Sequence, residues 1–181
     1  GDSNTTGSGS LWLKTGSSTA KSSGNIVLES GSSTVSHGGS IRARAGTSTN
    51  GTGGTIELSA GSGMQGGSLH VSGGKGTIRS GSVVIGSEHS ERSSGCVYLA
   101  SGDSTEGVSG DVSLSTGSGA NGSGGVSVSS GESTYGSGDV RIGSGRSTCG
   151  SSGSIVLETL TSAGGRSGNI LLKTGSSNRE G

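Results

Sequence analysis

Three asparagines occupy the acceptor pattern for N-linked glycans, in which a Ser or Thr follows two residues after the Asn. They are Asn4, Asn50 and Asn121. Asn50 and Asn121 fall at the same position of an internal repeat, within a Ser/Gly-rich stretch that predicts a solvated loop. A glycan needs such a surface position in a secreted chain, so we predict glycosylation at these sites. A chain this rich in Ser and Thr also creates the pattern by chance, and that alternative stays open.

A rank of threonines recurs at one phase of the same repeat, each directly after a serine. Such a rank resembles the ice-binding face of antifreeze β-solenoids, and the repeat length is similar to that of the grass-type antifreeze roll. The resemblance implies adsorption to ice through ordered hydroxyl and methyl groups. The rank is broken where Met64 and Ala120 replace Thr, and hydroxyl ladders that stabilise a sheet are the alternative interpretation. The set is Thr19, Thr34, Thr49, Thr105, Thr134 and Thr148.

No combination of residues predicts catalysis, a metal site or a cofactor site. The three histidines lie at different phases of the repeat, and the G-x-G strings precede no helix that would cradle a phosphate. Cys96 and Cys149 are three repeats apart, too far for a disulfide within the chain. We expect them to be tolerated small residues, with an intermolecular disulfide or a reactive thiol as the alternative. The chain is therefore expected not to be an enzyme.

Charge and composition exclude several classes of partner. The 181 residues carry 12 basic and 12 acidic side chains, with no cationic stripe of the kind that binds nucleic acid. No apolar run is long enough to insert into a membrane. Gly accounts for 42 residues and Ser is about as frequent, which is typical of a flexible linker. The complete absence of Pro instead favours β-structure, because Pro is excluded from continuous β-ladders.

Pairs of aliphatic residues at i and i+2 recur every 13 to 15 residues along the chain, giving twelve repeats. This spacing predicts a short strand with both side chains on one face. Residues 1–181 are thus predicted to form one all-β domain, a single β-solenoid of about twelve 14–15-residue turns with parallel in-register ladders and no helices. The predicted core ladders include Ile26, Leu28, Ile41, Ile56, Leu58, Val112, Leu114, Val126, Val128, Ile155, Leu157, Ile170 and Leu172.

A small residue follows two positions after each aliphatic pair, and a glycine commonly comes next. The small side chain is expected to point inward beside a corner of the turn. Because glycine adopts positive φ at little cost, the following glycine is expected to form that corner. These corner glycines include Gly16, Gly31, Gly46, Gly61 and Gly74.

The recurring phrase GSGxVxLxSGxST, as in GSGDVRIGSGRST at 136–148, covers every repeat. It resembles the Ser/Gly/Thr-rich repeat proteins of extracellular coats and appendages in algae and protists. The resemblance implies an extracellular or cell-surface structural protein, such as a mastigoneme-like filament, with glycans attached. The stretches GDSNTTG (1–7) and GSSNREG (175–181) share one phase, which predicts a piece of a longer array or a unit that associates end to end or laterally. An ice-binding protein and an adhesin stalk are the alternatives.

Overall fold

The computed structural model describes residues 7–176. Within that range there are no helices and no β-strands, so there are no element bounds to give. The prediction of an all-β solenoid with parallel ladders is therefore wrong. The backbone follows an irregular path, and the hydrogen bonds within it join residues at most nine positions apart.

The residues expected to form the core ladders do not form a core. Their side chains are between 51% and 85% exposed, and no hydrophobic residue in the described range is buried. They are Ile26, Leu28, Ile41, Ile56, Leu58, Val112, Leu114, Val126, Val128, Ile155, Leu157, Ile170 and Leu172.

The alternation expected of a half-buried strand is also missing. Leu157 is 71% exposed, and the intervening Val156, which should face outward, is 73% exposed. Only the first aliphatic of each pair is distinctly less exposed, at 49–60% from the second repeat onward. The physical reason is local composition. Two paired aliphatic side chains in a repeat of 14–15 mostly small residues offer too little apolar area to hold one turn against the next.

The accessible surface of the chain is large for its mass. A compact folded protein of 17.1 kDa would expose about 7,800 Å², and the fully unfolded chain about 25,000 Å². This chain exposes 18969 Å², closer to the unfolded value. The order that exists must therefore come from local interactions.

The chain divides into two units, Gly1–Ser94 and Gly95–Gly181. In both units the repeat is expressed as a series of bends. They begin every 14 or 15 residues and fall in the Ser/Gly-rich part of each repeat. Within residues 7–176 they lie at 19–21, 34–36, 49–51, 63–65, 77–78, 91–92, 105–107, 120–121, 134–135, 148–150 and 163–165.

Around most bends the chain returns close to itself in an arrangement we call a clasp. In a clasp, the small residue after the aliphatic pair lies beside a glycine seven to nine positions later. A Cβ built on Gly54 would lie 3.2 Å from the Ala45 Cβ, and one on Gly153 would lie 3.5 Å from the Ser144 Cβ. The clasp pairs are Thr15–Gly24, Ser30–Gly39, Ala45–Gly54, Ala60–Gly67, Gly73–Gly81, Ser101–Gly110, Thr116–Gly124, Ser130–Gly138, Ser144–Gly153 and Thr159–Gly168.

Clasps of the first unit are held mainly by the backbone. The N–H of the returning glycine donates to the carbonyl of the glycine that follows the small residue, at 2.8–2.9 Å. This bond occurs in four successive repeats, as Gly39 to Gly31, Gly54 to Gly46, Gly67 to Gly61 and Gly81 to Gly74.

In the second unit the Thr116 hydroxyl instead donates to the Gly124 carbonyl at 3.1 Å. The other clasps described there are approaches of a small side chain to a glycine.

The prediction that glycines form the corners through positive φ is wrong for the residues named. Among the described residues, positive φ occurs at Gly122 (147°) and not at Gly16, Gly31, Gly46, Gly61 or Gly74. In several clasps of the first unit the returning glycine is the more crowded of the two. At Gly39 an added Cβ would lie 3.0 Å from the Ser30 Cβ, whereas at Gly31 it would meet nothing within 4 Å.

Candidate functional site

The two described sequons lie at exposed bends, in different units. Asn50 is the middle residue of the bend at 49–51, and Asn121 is the second residue of the turn at 120–121. Both side chains are exposed, so neither position is sterically closed to a glycan. Asn4 lies outside the described residues. Glycosylation at these positions stays a prediction.

All six threonines of the predicted rank are the first residue of a bend, and all are exposed. The serine before each one performs a defined local role. Its hydroxyl oxygen accepts a hydrogen bond from the backbone N–H three residues later, as Ser48 does from Gly51 at 2.9 Å and Ser147 from Gly150 at 3.0 Å. Short hydroxyl side chains commonly stabilise turns in this way. The same bond forms at Ser18, Ser33, Ser104 and Ser133.

In each Ser-Thr pair, the serine therefore stabilises the bend through its hydrogen bond, and the threonine is the first residue of the bend. The serine bond is the same in both units, which accounts for the recurrence of the pair without any ligand. The threonines share a position in their bends. The bend geometry does not test ice adsorption by these threonines, which stays a prediction.

Between the clasps lie short segments that each contain an aliphatic pair, which we call the apolar segments. The residue between the two aliphatics varies from Arg42 and Glu57 to Ser113 and Val156. The pair itself is aliphatic in every repeat, with Ala43 the smallest member. The aliphatic pair is therefore an exposed apolar feature that recurs in every repeat while the residue within it varies.

One open concavity of about 520 Å³ lies at the first clasp. Lys14, Lys21 and the hydroxyl-bearing residues Thr15, Ser17 and Ser23 line it. The Thr15 hydroxyl donates to the Gly24 carbonyl at 3.0 Å, and the Ser18 hydroxyl accepts from the Lys21 N–H at 3.1 Å. The concavity is therefore the inside of a clasp and its bend.

Ionisable and metal-binding groups do not converge in the part of the chain that the structure describes. There, no three His, Cys, Asp or Glu residues lie close enough to hold a metal ion. The ion pair recorded between Arg141 and Asp139, at 2.7 Å, is largely exposed, and such pairs contribute little to stability.

Cys96 and Cys149 are free and exposed. The expectation that they are tolerated small residues stays a prediction, with an intermolecular disulfide or a reactive thiol as the alternative. Residues 7–176 also include no helix of the length and apolarity that crossing a membrane requires.

Sequence reasoning missed the residues that close the clasps. The composition of the Ser/Gly-rich stretches assigns no individual role to the returning glycines, such as Gly39 and Gly54. Two signals identify them: a glycine recurs seven to nine positions after each small residue, and a serine precedes most bends by one position. Both signals are local. They fit a loop that closes on itself and a turn of a solenoid equally well.

Comparison of the chain with protein-family models found no match, and comparisons with curated proteins and with solved structures found none either.

Proposed function

We propose that the chain is a non-enzymatic structural protein of the extracellular space or cell surface, and that it acts by associating with further copies of itself. One observation carries the proposal. Every repeat has an aliphatic pair, and the pairs stay exposed because the chain has no core among its described residues to receive them. Apolar side chains left in water favour association with other apolar surface.

The area available is ample for this purpose. The chain exposes about 11,000 Å² more than a compact protein of its mass. A stable interface between two proteins buries about 1,200–2,000 Å² in total. Association that covered only a small part of the excess would therefore suffice.

Charge also favours copies of the same chain as the partner. The formal net charge is zero, so two copies do not repel each other as whole molecules. Because apolar segments recur at 13–15 residues, one chain can join a second through some segments and a third through others. Repeated bivalent contacts of this kind lead to a filament or matrix rather than a closed dimer.

The extracellular setting rests on two further points. The sequons Asn50 and Asn121 are exposed at bends, where a glycan can be accommodated. The repeat phrase also resembles those of Ser/Gly/Thr-rich coat and appendage proteins, whose role is architectural.

Sedimentation velocity over a concentration series, together with electron microscopy, tests the proposal. We expect large assemblies or fibres that dissociate on dilution. A variant with Val126, Val128, Ile155 and Leu157 replaced by Ser should assemble only at concentrations at least tenfold higher. A chain that sediments as a monomer at every concentration would contradict the proposal.

The matched control replaces four apolar residues that lie between aliphatic pairs. These are Val27, Val84, Val156 and Leu171, and they are 72–90% exposed. Their replacement by Ser removes at least as much exposed apolar area but leaves every pair intact. Assembly should persist if the recurring pairs, and not exposed apolar area in general, make the contacts between chains. Equal loss of assembly in both variants would show that the pairs are not the contact surface.

Ice adsorption is the second candidate function. The observation that favours it is the shared, exposed position of six threonines at the first residue of their bends. Thermal hysteresis measured on the dilute chain separates the two functions. Activity that disappears on replacing Thr19, Thr34 and Thr49 by Ala would favour ice binding, and its absence at high concentration would remove that candidate.

A further inference from the structure

We propose that the clasps make this chain an extensible tether, in which each clasp holds a short length of backbone at rest and releases it under tension. The proposal does not depend on self-association, since it concerns a single chain. It follows from how the clasps are closed, how they are connected and how quickly such loops can close again.

Each clasp is closed by very few interactions. Ser30–Gly39 has two hydrogen bonds, one from the Gly39 N–H to the Gly31 carbonyl and one from the Ser30 hydroxyl to the Gly39 carbonyl. Ser144–Gly153 has only the approach of a small side chain to a glycine. All of these groups are accessible to water, which can replace the bonds as they break.

The clasps are also independent of one another. No hydrophobic or polar side chain in residues 7–176 is buried, so no shared core requires neighbouring clasps to open together. A tension on the chain therefore opens clasps one at a time, each at low force. This behaviour differs from that of a folded domain, which resists until its core breaks cooperatively.

Opening a clasp releases a defined length. The nine residue steps from Ser144 to Gly153 span about 31 Å when extended, whereas the Cβ positions of the closed pair are 3.5 Å apart. A clasp of nine steps thus stores about 25 Å. Closing a loop of about ten residues takes roughly 10–100 ns, so the stored length is recovered as soon as tension falls.

The test locks four clasps with disulfides in a Cys96→Ser, Cys149→Ser background. Substitution by Cys at both positions of Ser101–Gly110, Ser130–Gly138, Ser144–Gly153 and Thr159–Gly168 is suitable, because their Cβ separations are 4.0, 3.9, 3.5 and 4.0 Å. These values fall within the range that a disulfide accepts. Peptide mapping verifies the pairing, and single-lock variants repeat the measurement if the four-lock variant mispairs.

Two measurements are compared between the oxidised and reduced forms. In single-molecule stretching, the reduced chain should extend smoothly to about 600 Å without rupture peaks, and the oxidised chain should be about 100 Å shorter. In small-angle X-ray scattering, the radius of gyration should change by less than about 3%, because locking holds closed what is already closed at rest.

Either measurement can overturn the proposal. Rupture peaks in the reduced chain would show a cooperative fold rather than independent clasps. A fall of about one tenth in the radius of gyration on oxidation would show that the clasps are open at rest, since shortening a random coil by this much reduces its size in that proportion. Stretching is done on single chains and scattering is measured at a dilution at which the chain is monomeric, so both outcomes are independent of self-association.

Discussion

Ser30 and Gly39 are nine residues apart and lie side by side where the chain closes a loop. The Ser30 hydroxyl donates to the Gly39 carbonyl at 3.0 Å, and the Gly39 N–H donates to the Gly31 carbonyl at 2.9 Å. A Cβ on Gly39 would lie 3.0 Å from the Ser30 Cβ, so the approach requires a glycine at the returning position. Similar approaches recur in both units. They are the local structure that the sequence repeat encodes.

In the tight clasp Ala45–Gly54, replacing the returning Gly54 should open the clasp, and replacing Gly46 should not. At Gly54 an added methyl group would lie 3.2 Å from both the Ala45 Cβ and the Gly46 N, so the backbone would have to move by a few tenths of an ångström to accept it. At Gly46 it would meet nothing within 4 Å. We expect Gly54→Ala to break the bond to the Gly46 carbonyl, and Gly46→Ala to keep it.

Nuclear magnetic resonance can follow that bond directly. In the wild type, the amide of Gly54 should show a smaller temperature coefficient than the amide of Gly53, which has no backbone partner among the hydrogen bonds of the described residues. The Gly46→Ala variant should retain this difference. A clasp that survives Gly54→Ala, or that is lost equally in both variants, would contradict the assigned geometry.

The serine of each Ser-Thr pair should matter for the bend, and the threonine should not. Ser48→Ala removes the acceptor of the Gly51 N–H, and we expect it to destabilise the bend by about 0.5–1.5 kcal/mol. Ser48→Thr retains a hydroxyl and should restore the bend. Thr49→Ala should leave the Gly51 amide shift unchanged, and a large shift change there would assign the role to the wrong residue.

Heating the dilute monomer should produce no cooperative unfolding transition. A cooperative transition requires a core whose loss exposes apolar surface all at once, and no described residue is buried. Calorimetry below the assembly concentration should therefore show a gradual change without a peak. A sharp, concentration-independent heat-absorption peak would show a buried core that this account denies.

Glycan attachment should follow the exposed sequons. When the chain is expressed through a eukaryotic secretory pathway, removal of N-glycans by an amidase should reduce its mass. Replacing Thr52 by Ala removes the sequon of Asn50, and replacing Ser123 by Ala removes that of Asn121. Each should abolish one glycan. An unchanged mass in the wild type after amidase treatment would remove glycosylation from the account.

The sequence predicts the repeat length and the positions of the loops. It does not predict whether one repeat packs against the next. The position of Thr49 in a loop follows from the Ser/Gly-rich composition around it, and a bend begins at that residue. The stacking of Ile41 on Ile26 and Ile56 does not follow, although a strict period suggested it, since all three are more than half exposed.

The difference has a physical origin. A period in the sequence requires only that each repeat adopt the same local conformation, and clasps satisfy that requirement through contacts within seven to nine residues. Stacking requires in addition that each repeat bury enough apolar area against the next to offset the entropy of ordering so many Gly and Ser residues. Pairs such as Val126 and Val128 stay exposed, so that second condition is not met within one chain.

Disulfide trapping of one clasp tests most directly whether local closure orders the chain. Ser144 and Gly153 have a Cβ separation of 3.5 Å, which suits a disulfide, whereas Gly136 and Gly145, equally far apart in sequence, have no atom within 4 Å of either Cβ position. In a Cys96→Ser, Cys149→Ser background, Ser144→Cys with Gly153→Cys should oxidise at least tenfold faster than Gly136→Cys with Gly145→Cys. Equal rates for the two pairs would mean that the clasp does not exist in solution, and the account would fail.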